Sequence, residues 1–310
     1  MLLAGLIIMN IPGFSQEEDS ATIIEEEITP VAKAKPVKNT FESIWLIDNQ
    51  TVMVPAKKTF EMDIMHRFGT LKNEYKDFFG FFAPSNIRLG FNYSLRDDLM
   101  IGASITKENK MWEGFAKYAI LRQTKRLYPV SVTYYGNAGV KTKSGEYAHF
   151  SDRLSYFNQL LIARKINEKL SLQIAPSLSH INVVNGLYEN STVKGVSGED
   201  SAVSRVIGEM KHDHFAIAFS GRYKLKESMA ILINYDQPVT KHATNNPHPN
   251  FSFGIEISTS AHAFQFFLGN FYYLTPQMNN FYNRNNPSVD IKDAYKQFLI
   301  GFNITRLWSY

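Results

Sequence analysis

Gln297-Phe298-Leu299-Ile300-Gly301-Phe302-Asn303-Ile304-Thr305-Arg306-Leu307-Trp308-Ser309-Tyr310 is the stretch whose reading decides the fold. Phe298, Ile300, Phe302, Ile304, Trp308 and Tyr310 share one parity, and Gln297, Gly301, Asn303 and Thr305 fall on the other. A period of two puts the first set on one face of a β-strand and the second on the opposite face. Such a strand suits a sheet with an apolar medium on one side and a polar interior on the other.

The same alternation runs back to Phe60 in about 12 segments. The first sets Phe60, Met62, Ile64 and Phe68 against Glu61, Asp63 and Arg67. The next sets Ile87, Leu89, Phe91 and Tyr93 against Arg88, Gly90 and Asn92. Leu154 to Ile166 is apolar on both parities, so its faces stay unassigned. After even segments the connections are mostly tight, as at Arg96-Asp97-Asp98 and Lys226-Glu227-Ser228. After odd segments most are long, as at Asn182 to Asp213 and Tyr272 to Lys296. This rhythm predicts an all-β fold: a transmembrane up-and-down antiparallel β-barrel of about 12 strands over residues 59–310, with both termini in the periplasm.

Composition agrees with that class. The 310 residues contain no cysteine, which excludes disulfides, thiolate metal sites and a lipid-anchored lipobox. The net charge of +4 is small and spread out, and no nucleic-acid motif accompanies it. Mean hydropathy is -0.22, and no apolar run reaches the roughly 20 residues of a membrane helix. Barrel strands escape this measure because they are polar at alternate positions. Leu2 to Met9, followed by Ile11 to Ser15, reads as a secretory signal peptide over residues 1–15, without the usual basic n-region. Residues 16–40 are acidic, then Lys- and Pro-rich, and are expected to be a disordered periplasmic linker. Residues 41–58, partly apolar, are expected either to plug the lumen or to lie beneath it.

Two resemblances sharpen the class. Bacterial outer-membrane barrels end on an aromatic that the barrel-assembly machinery reads. Phe302, Ile304, Trp308 and Tyr310 are the expected assembly signal here. The stretch Glu42-Ser43-Ile44-Trp45-Leu46-Ile47-Asp48-Asn49-Gln50-Thr51-Val52, then His66-Arg67-Phe68-Gly69, Ile87-Arg88-Leu89-Gly90, Gly114-Phe115-Ala116-Lys117-Tyr118 and Leu121-Arg122-Gln123, resembles a domain-of-unknown-function family of outer-membrane β-barrels. The resemblance spans residues 41–310 and implies fold and outer-membrane location, with no activity to carry over.

Parity assigns Glu61, Asp63, Arg67, Arg88, Glu113, Lys117, Arg222, Lys224, Asp236 and Glu256 to the lumenal face. Charges of both signs can line a channel or pair into a closed interior, and pairing across a lumen of this size is the expectation. Seven histidines (His66, His149, His180, His212, His214, His242 and His248) fall at or above the outer rim, and His262 by a periplasmic turn. His212-Asp213-His214 has the residue types of a metal site or an oriented base. Parity turns His180 outward and His214 inward, so no catalytic, metal or cofactor site is expected. Rim phospholipase, nucleophile-elbow and phosphate-loop motifs do not occur in the sequence.

The resulting expectation is a non-enzymatic barrel serving as a structural or interaction subunit of a cell-envelope complex. Its expected partners are outer-membrane lipid, the assembly machinery during insertion and envelope proteins, and not nucleic acid. Phe271-Tyr272-Tyr273 and Phe281-Tyr282 would offer aromatic loop surface to a partner. The alternative is a porin-like narrow channel or transporter for small solutes or lipid-like molecules. A rim hydrolase comes third.

Overall fold

The computed structural model describes residues 35–145, 147–194, 200–286, 288 and 291–309. The expected signal peptide, the linker up to residue 34 and Tyr310 lie outside the described residues. The barrel strands are β1 Thr59–Thr70, β2 Asn86–Arg96, β3 Leu99–Thr106, β4 Met111–Leu121, β5 Ser131–Lys141 and β6 Leu154–Lys165. They continue with β7 Leu170–Ile181, β8 Asp213–Lys226, β9 Met229–Pro238, β10 Asn250–Ser258, β11 His262–Gly269 and β12 Leu299–Ser309. Each pairs antiparallel with its neighbours in the chain, and β12 pairs with β1, giving a closed twelve-stranded barrel. Phe302 registers with His66, Ile304 with Ile64 and Trp308 with Phe60 along the closing seam. Closure leaves no strand edge whose backbone groups would go unpaired in lipid.

Exposure is inverted relative to a water-soluble protein. Phe219 (46 %), Ile233 (48 %) and Ile255 (41 %) stand out from the wall, whereas Asp63, Arg67 and Lys117 are fully buried inside it. The ambiguous segment resolves in the same way. Tyr156, Leu160 and Ile162 of β6 point outward, and Phe157 and Leu161 point inward to pack on a segment within the lumen. That inner contact is why both parities are apolar there. Gly90, on the inner face, makes room for the carboxylate opposite: a Cβ there would lie 2.3 Å from Asp63 Oδ2.

One end of the barrel carries the tight connections, at Asp97-Asp98, 166–169, Glu227-Ser228 and 259–261, and is called the turn end below. The other, the loop end, carries the long segments 71–85, 142–153, 182–212, 239–249 and 270–298. Within 182–212, Gly186–Lys194 and Asp200–Glu209 pair as a hairpin in a sheet of their own, which the sequence reading treated as loop. A hairpin pairs much of its own backbone, so it needs no place in the barrel.

Candidate functional site: the plugged lumen

Residues 41–54 lie inside the barrel. They fold as a two-rung hairpin, Trp45–Leu46 against Asn49–Gln50, turned at Ile47-Asp48. Ile47 takes the left-handed conformation (φ 59°), which this tight turn imposes. Thr51 donates its hydroxyl to the Ser43 carbonyl at 2.7 Å and its N–H to the Ile44 carbonyl at 2.9 Å, bracing the base. Phe41, Ile44, Trp45, Leu46, Ile47 and Val52 pack on Met65, Met100, Phe115, Tyr135, Phe157 and Phe267 of the wall.

The plug's backbone is held by wall side chains. Gln265 accepts from Ile47 N–H at 3.0 Å and donates to the Trp45 carbonyl at 2.8 Å. Asn303 donates to the Ile47 carbonyl at 2.6 Å, and Asn234 donates to the Leu46 carbonyl. Gln173 accepts from Val52 N–H at 3.1 Å and donates to the Gln50 carbonyl at 2.8 Å. Thr133 donates to the Val52 carbonyl at 3.0 Å. Lys117 reaches Gln50 Oε1 at 2.9 Å, and Asn49 donates to Asp236 at 2.7 Å. Among the described residues the hairpin forms strand pairs with itself alone.

Nine of the ten charged residues assigned to the lumen by parity are buried there, whereas Lys224 is partly exposed beside the turn and pairs with Glu227 at 3.1 Å. They form pairs more than a lining. Arg88 meets Asp63 at 2.5 Å and Glu113 at 3.3 Å, with its guanidinium 4.9 Å from the Trp45 ring centre. Asn92 donates to Asp63, and Ser104 and Asn137 to Glu113, each at 2.8 Å. Arg222 meets Glu256 at 2.8 Å. Arg67 donates to Asn303 at 2.9 Å and lies 4.4 Å over the Phe267 ring. Glu61 has a carboxylate oxygen without a hydrogen-bond partner among the described residues. It lines a cavity of about 290 Å³ at the turn end, between the plug and strands β1, β11 and β12. A further cavity of about 10 Å³ lies beside Asp48, Asn49 and Asp236.

A second element covers part of the loop end. Helix α1, Pro276–Tyr282, starts on a proline, whose missing N–H costs nothing in a first turn. Gln277 donates to Ser155 at 3.2 Å and Asn280 to Ser179 at 3.0 Å, while Met278 and Phe281 pack on Met111, Ile181 and Met210. Phe281 also contacts the rings of His214 and His242 at 5.4 and 5.7 Å. His242 Nδ1 accepts from Lys211 N–H at 3.0 Å, so the neutral ring carries its proton on Nε2 and donates to His214 Nδ1 at 2.8 Å. Burial, then Lys211 and Arg284, hold His242 below its ordinary pKa, so this contact is built for a neutral ring.

The aromatic loops therefore differ from expectation. Phe271 and Phe281 are fully buried, and Tyr273 and Tyr282 pack against the cap cluster. Chain folded back into an open mouth buries its apolar residues there, so they do not stand in water as a partner surface. Sequence reasoning also missed the neutral amides Asn234, Gln265, Asn303 and Gln173, because polar residues on an inner face look alike whether they meet water or a plug. Of the expected assembly residues, Phe302, Ile304 and Trp308 lie on the seam strand, with Phe302 and Ile304 facing outward.

The chain belongs to the family of the membrane-bound beta barrel domain, DUF5777, which it matches over residues 41–308. It is a bacterial outer-membrane β-barrel of that family. No curated protein sequence matches it. Among solved structures it is similar to the COG4313 outer-membrane channel from Pseudomonas putida F1, with 12 % identity, 83 % of this chain and 97 % of that one covered, and a TM-score of 0.44. It is also similar to the NanC porin (8 % identity, 81 % and 99 % covered, TM-score 0.42) and to the CymD monoaromatic hydrocarbon channel (8 %, 83 % and 90 %, TM-score 0.39). These three solved barrels are named as a porin and two channels. The expectation of a structural or interaction subunit is corrected by the loop aromatics, because Phe271 and Phe281, expected to offer a partner surface, are buried inside the barrel mouth.

Proposed function

We propose that the protein is a non-enzymatic, gated outer-membrane channel for small polar solutes, closed at rest by residues 41–54 and capped by α1. The observation that carries this reading is how the plug is held. Its carbonyls and N–H groups bond to Gln265, Asn303, Asn234 and Gln173 side chains and pair with no barrel strand. Each such neutral bond contributes about 0.5–1.5 kcal/mol net, and water replaces it singly as the segment leaves. A permanent core segment would gain more from a ladder. What remains without the plug is a wall of Asp63, Arg88, Glu113, Lys117, Arg222 and Glu256, which water hydrates readily. Charges of both signs suit small polar solutes with weak charge selectivity.

In this reading residues 1–15 are a cleaved signal, the termini and the turn end face the periplasm, and the plug enters from that side. Short turns inside and long loops outside support the orientation. The test is ion conductance in planar bilayers and sugar uptake by proteoliposomes. The parent barrel should stay mostly closed, and removal of residues 41–54 should give steady conductance and sugar entry. A deletion variant that still shows the gel shift between unboiled and boiled samples, yet passes neither ions nor sugar, contradicts the proposal.

A further inference from the structure

The outer wall carries a second candidate site, away from the lumen. On β8 the outward row reads Phe219, Gly221, Tyr223, and Gly221 leaves a gap where a side chain would stand. Its strand partners there are Leu172 and Ile233, whose nearest side-chain atoms lie 3.5 and 3.1 Å from an added Cβ. The gap opens into an apolar groove of about 460 Å³, walled by Leu172, Ile174, Phe219 and Ile233 and ending at Arg164. Arg164 is exposed on the outward row of β6, in register with Leu172.

A second cleft, of about 520 Å³, shares Arg164 and is bounded by Lys125, Arg126, Leu127 and Tyr128 of the β4–β5 connection. Leu127 (63 %) and Tyr128 (46 %) are exposed, as residues dipping into a membrane interface are. The side chains of Lys125, Arg126 and Arg164 have no hydrogen-bond or ion-pair partner among the described residues. Cations on a lipid-facing wall, two residues from a tight turn, need an anion at headgroup depth. Guanidinium groups match phosphate oxygens in pairs.

We infer that this composite groove is a phospholipid seat in the turn-end leaflet. An acyl chain lies over Gly221, and the phosphate is held by Arg164, Arg126 and Lys125. The inference does not depend on the lumen being a channel. An apolar groove that continues into an unpaired cationic cleft is complementary to one amphipathic anion.

Native mass spectrometry of the full chain, with dioleoylphosphatidylglycerol titrated into detergent, tests this. Only preparations that keep the gel shift between unboiled and boiled samples are compared. The parent should bind one lipid tightly. Arg164→Gln with Arg126→Gln should weaken binding at least tenfold, and Arg164→Lys alone much less. Gly221→Leu fills the groove and should weaken binding to a similar extent while all three cations remain. Unchanged binding in either the double variant or Gly221→Leu overturns the site. Preferential uptake of lipopolysaccharide, which belongs to the opposite leaflet, also overturns it.

Discussion

Arg88 is the residue on which most of the interior charge turns. It is fully buried and serves two carboxylates, Asp63 and Glu113, each also bonded to neutral donors. Removing one member of a buried charged set leaves the others uncompensated, which typically costs about 3–5 kcal/mol. Arg88→Met should therefore lower the urea midpoint of the folded barrel far more than the paired change Asp63→Asn with Arg88→Met. Equal loss in both would mean the three groups are not coupled. On the outer face, Ile255→Lys should cost about 2–4 kcal/mol near mid-bilayer, with Ile255→Leu close to neutral. Reversible unfolding from vesicles measures both, and a neutral Ile255→Lys would place that residue away from lipid. Parity in the sequence was enough to find the nine lumenal charges. It gave no pairing, because which acid meets which base depends on strand register, and residues 25 apart such as Asp63 and Arg88 meet only across strands.

At the scale of elements, plug and cap were legible to different degrees. Residues 41–58 set the apolar run Ile44 to Ile47 beside the polar run Asp48 to Thr51, a mixture that suits either placement, and the wall amides distinguish them. The plug's hold at Gln265 and Asn303 is a local device. Gln265→Leu with Asn303→Leu should raise the open fraction in bilayers at least tenfold, since three bonds to the plug, of roughly 1 kcal/mol each, are lost. An unchanged open fraction would place the gate elsewhere. Helix α1 was hidden in the sequence, because seven residues rich in Asn and aromatics read as loop. Its cap responds to pH with a definite sign. A His242 pKa depressed in the docked state means that docking excludes a proton, so the cap is stable above the ordinary histidine value of 6.5 and loses stability as pH falls below it. Protonation also removes the Nδ1 acceptor for Lys211 N–H and places charge beside Arg284. Protection of the amides over residues 276–282, relative to their intrinsic exchange at each pH, should fall between pH 7.5 and 5, and His242→Gln should flatten that change. Protection independent of pH would remove the histidine contact from the gate.

At the scale of the whole molecule, one rule covers both faces: lipid outside and a filled polar interior inside each demand alternation. That rule made strand number, facing and the β12–β1 seam readable from Phe60 and Phe302 onward. It left the function open, because a sealed barrel and a gated channel satisfy it equally. A seal with a removable hold joins the two. The chain has no cysteine, so one introduced pair reports alone. Val52→Cys with Thr133→Cys puts one thiol on the plug and one on β5, where Thr133 already bonds the Val52 carbonyl at 3.0 Å. Combined with Gln265→Leu and Asn303→Leu, this pair allows the same protein to be measured in bilayers when oxidised and when reduced. Gating by residues 41–54 predicts silence with the disulfide formed, and conductance that appears on reduction and vanishes on reoxidation. Equal conductance in both states, with the disulfide verified, would contradict residues 41–54 as the gate.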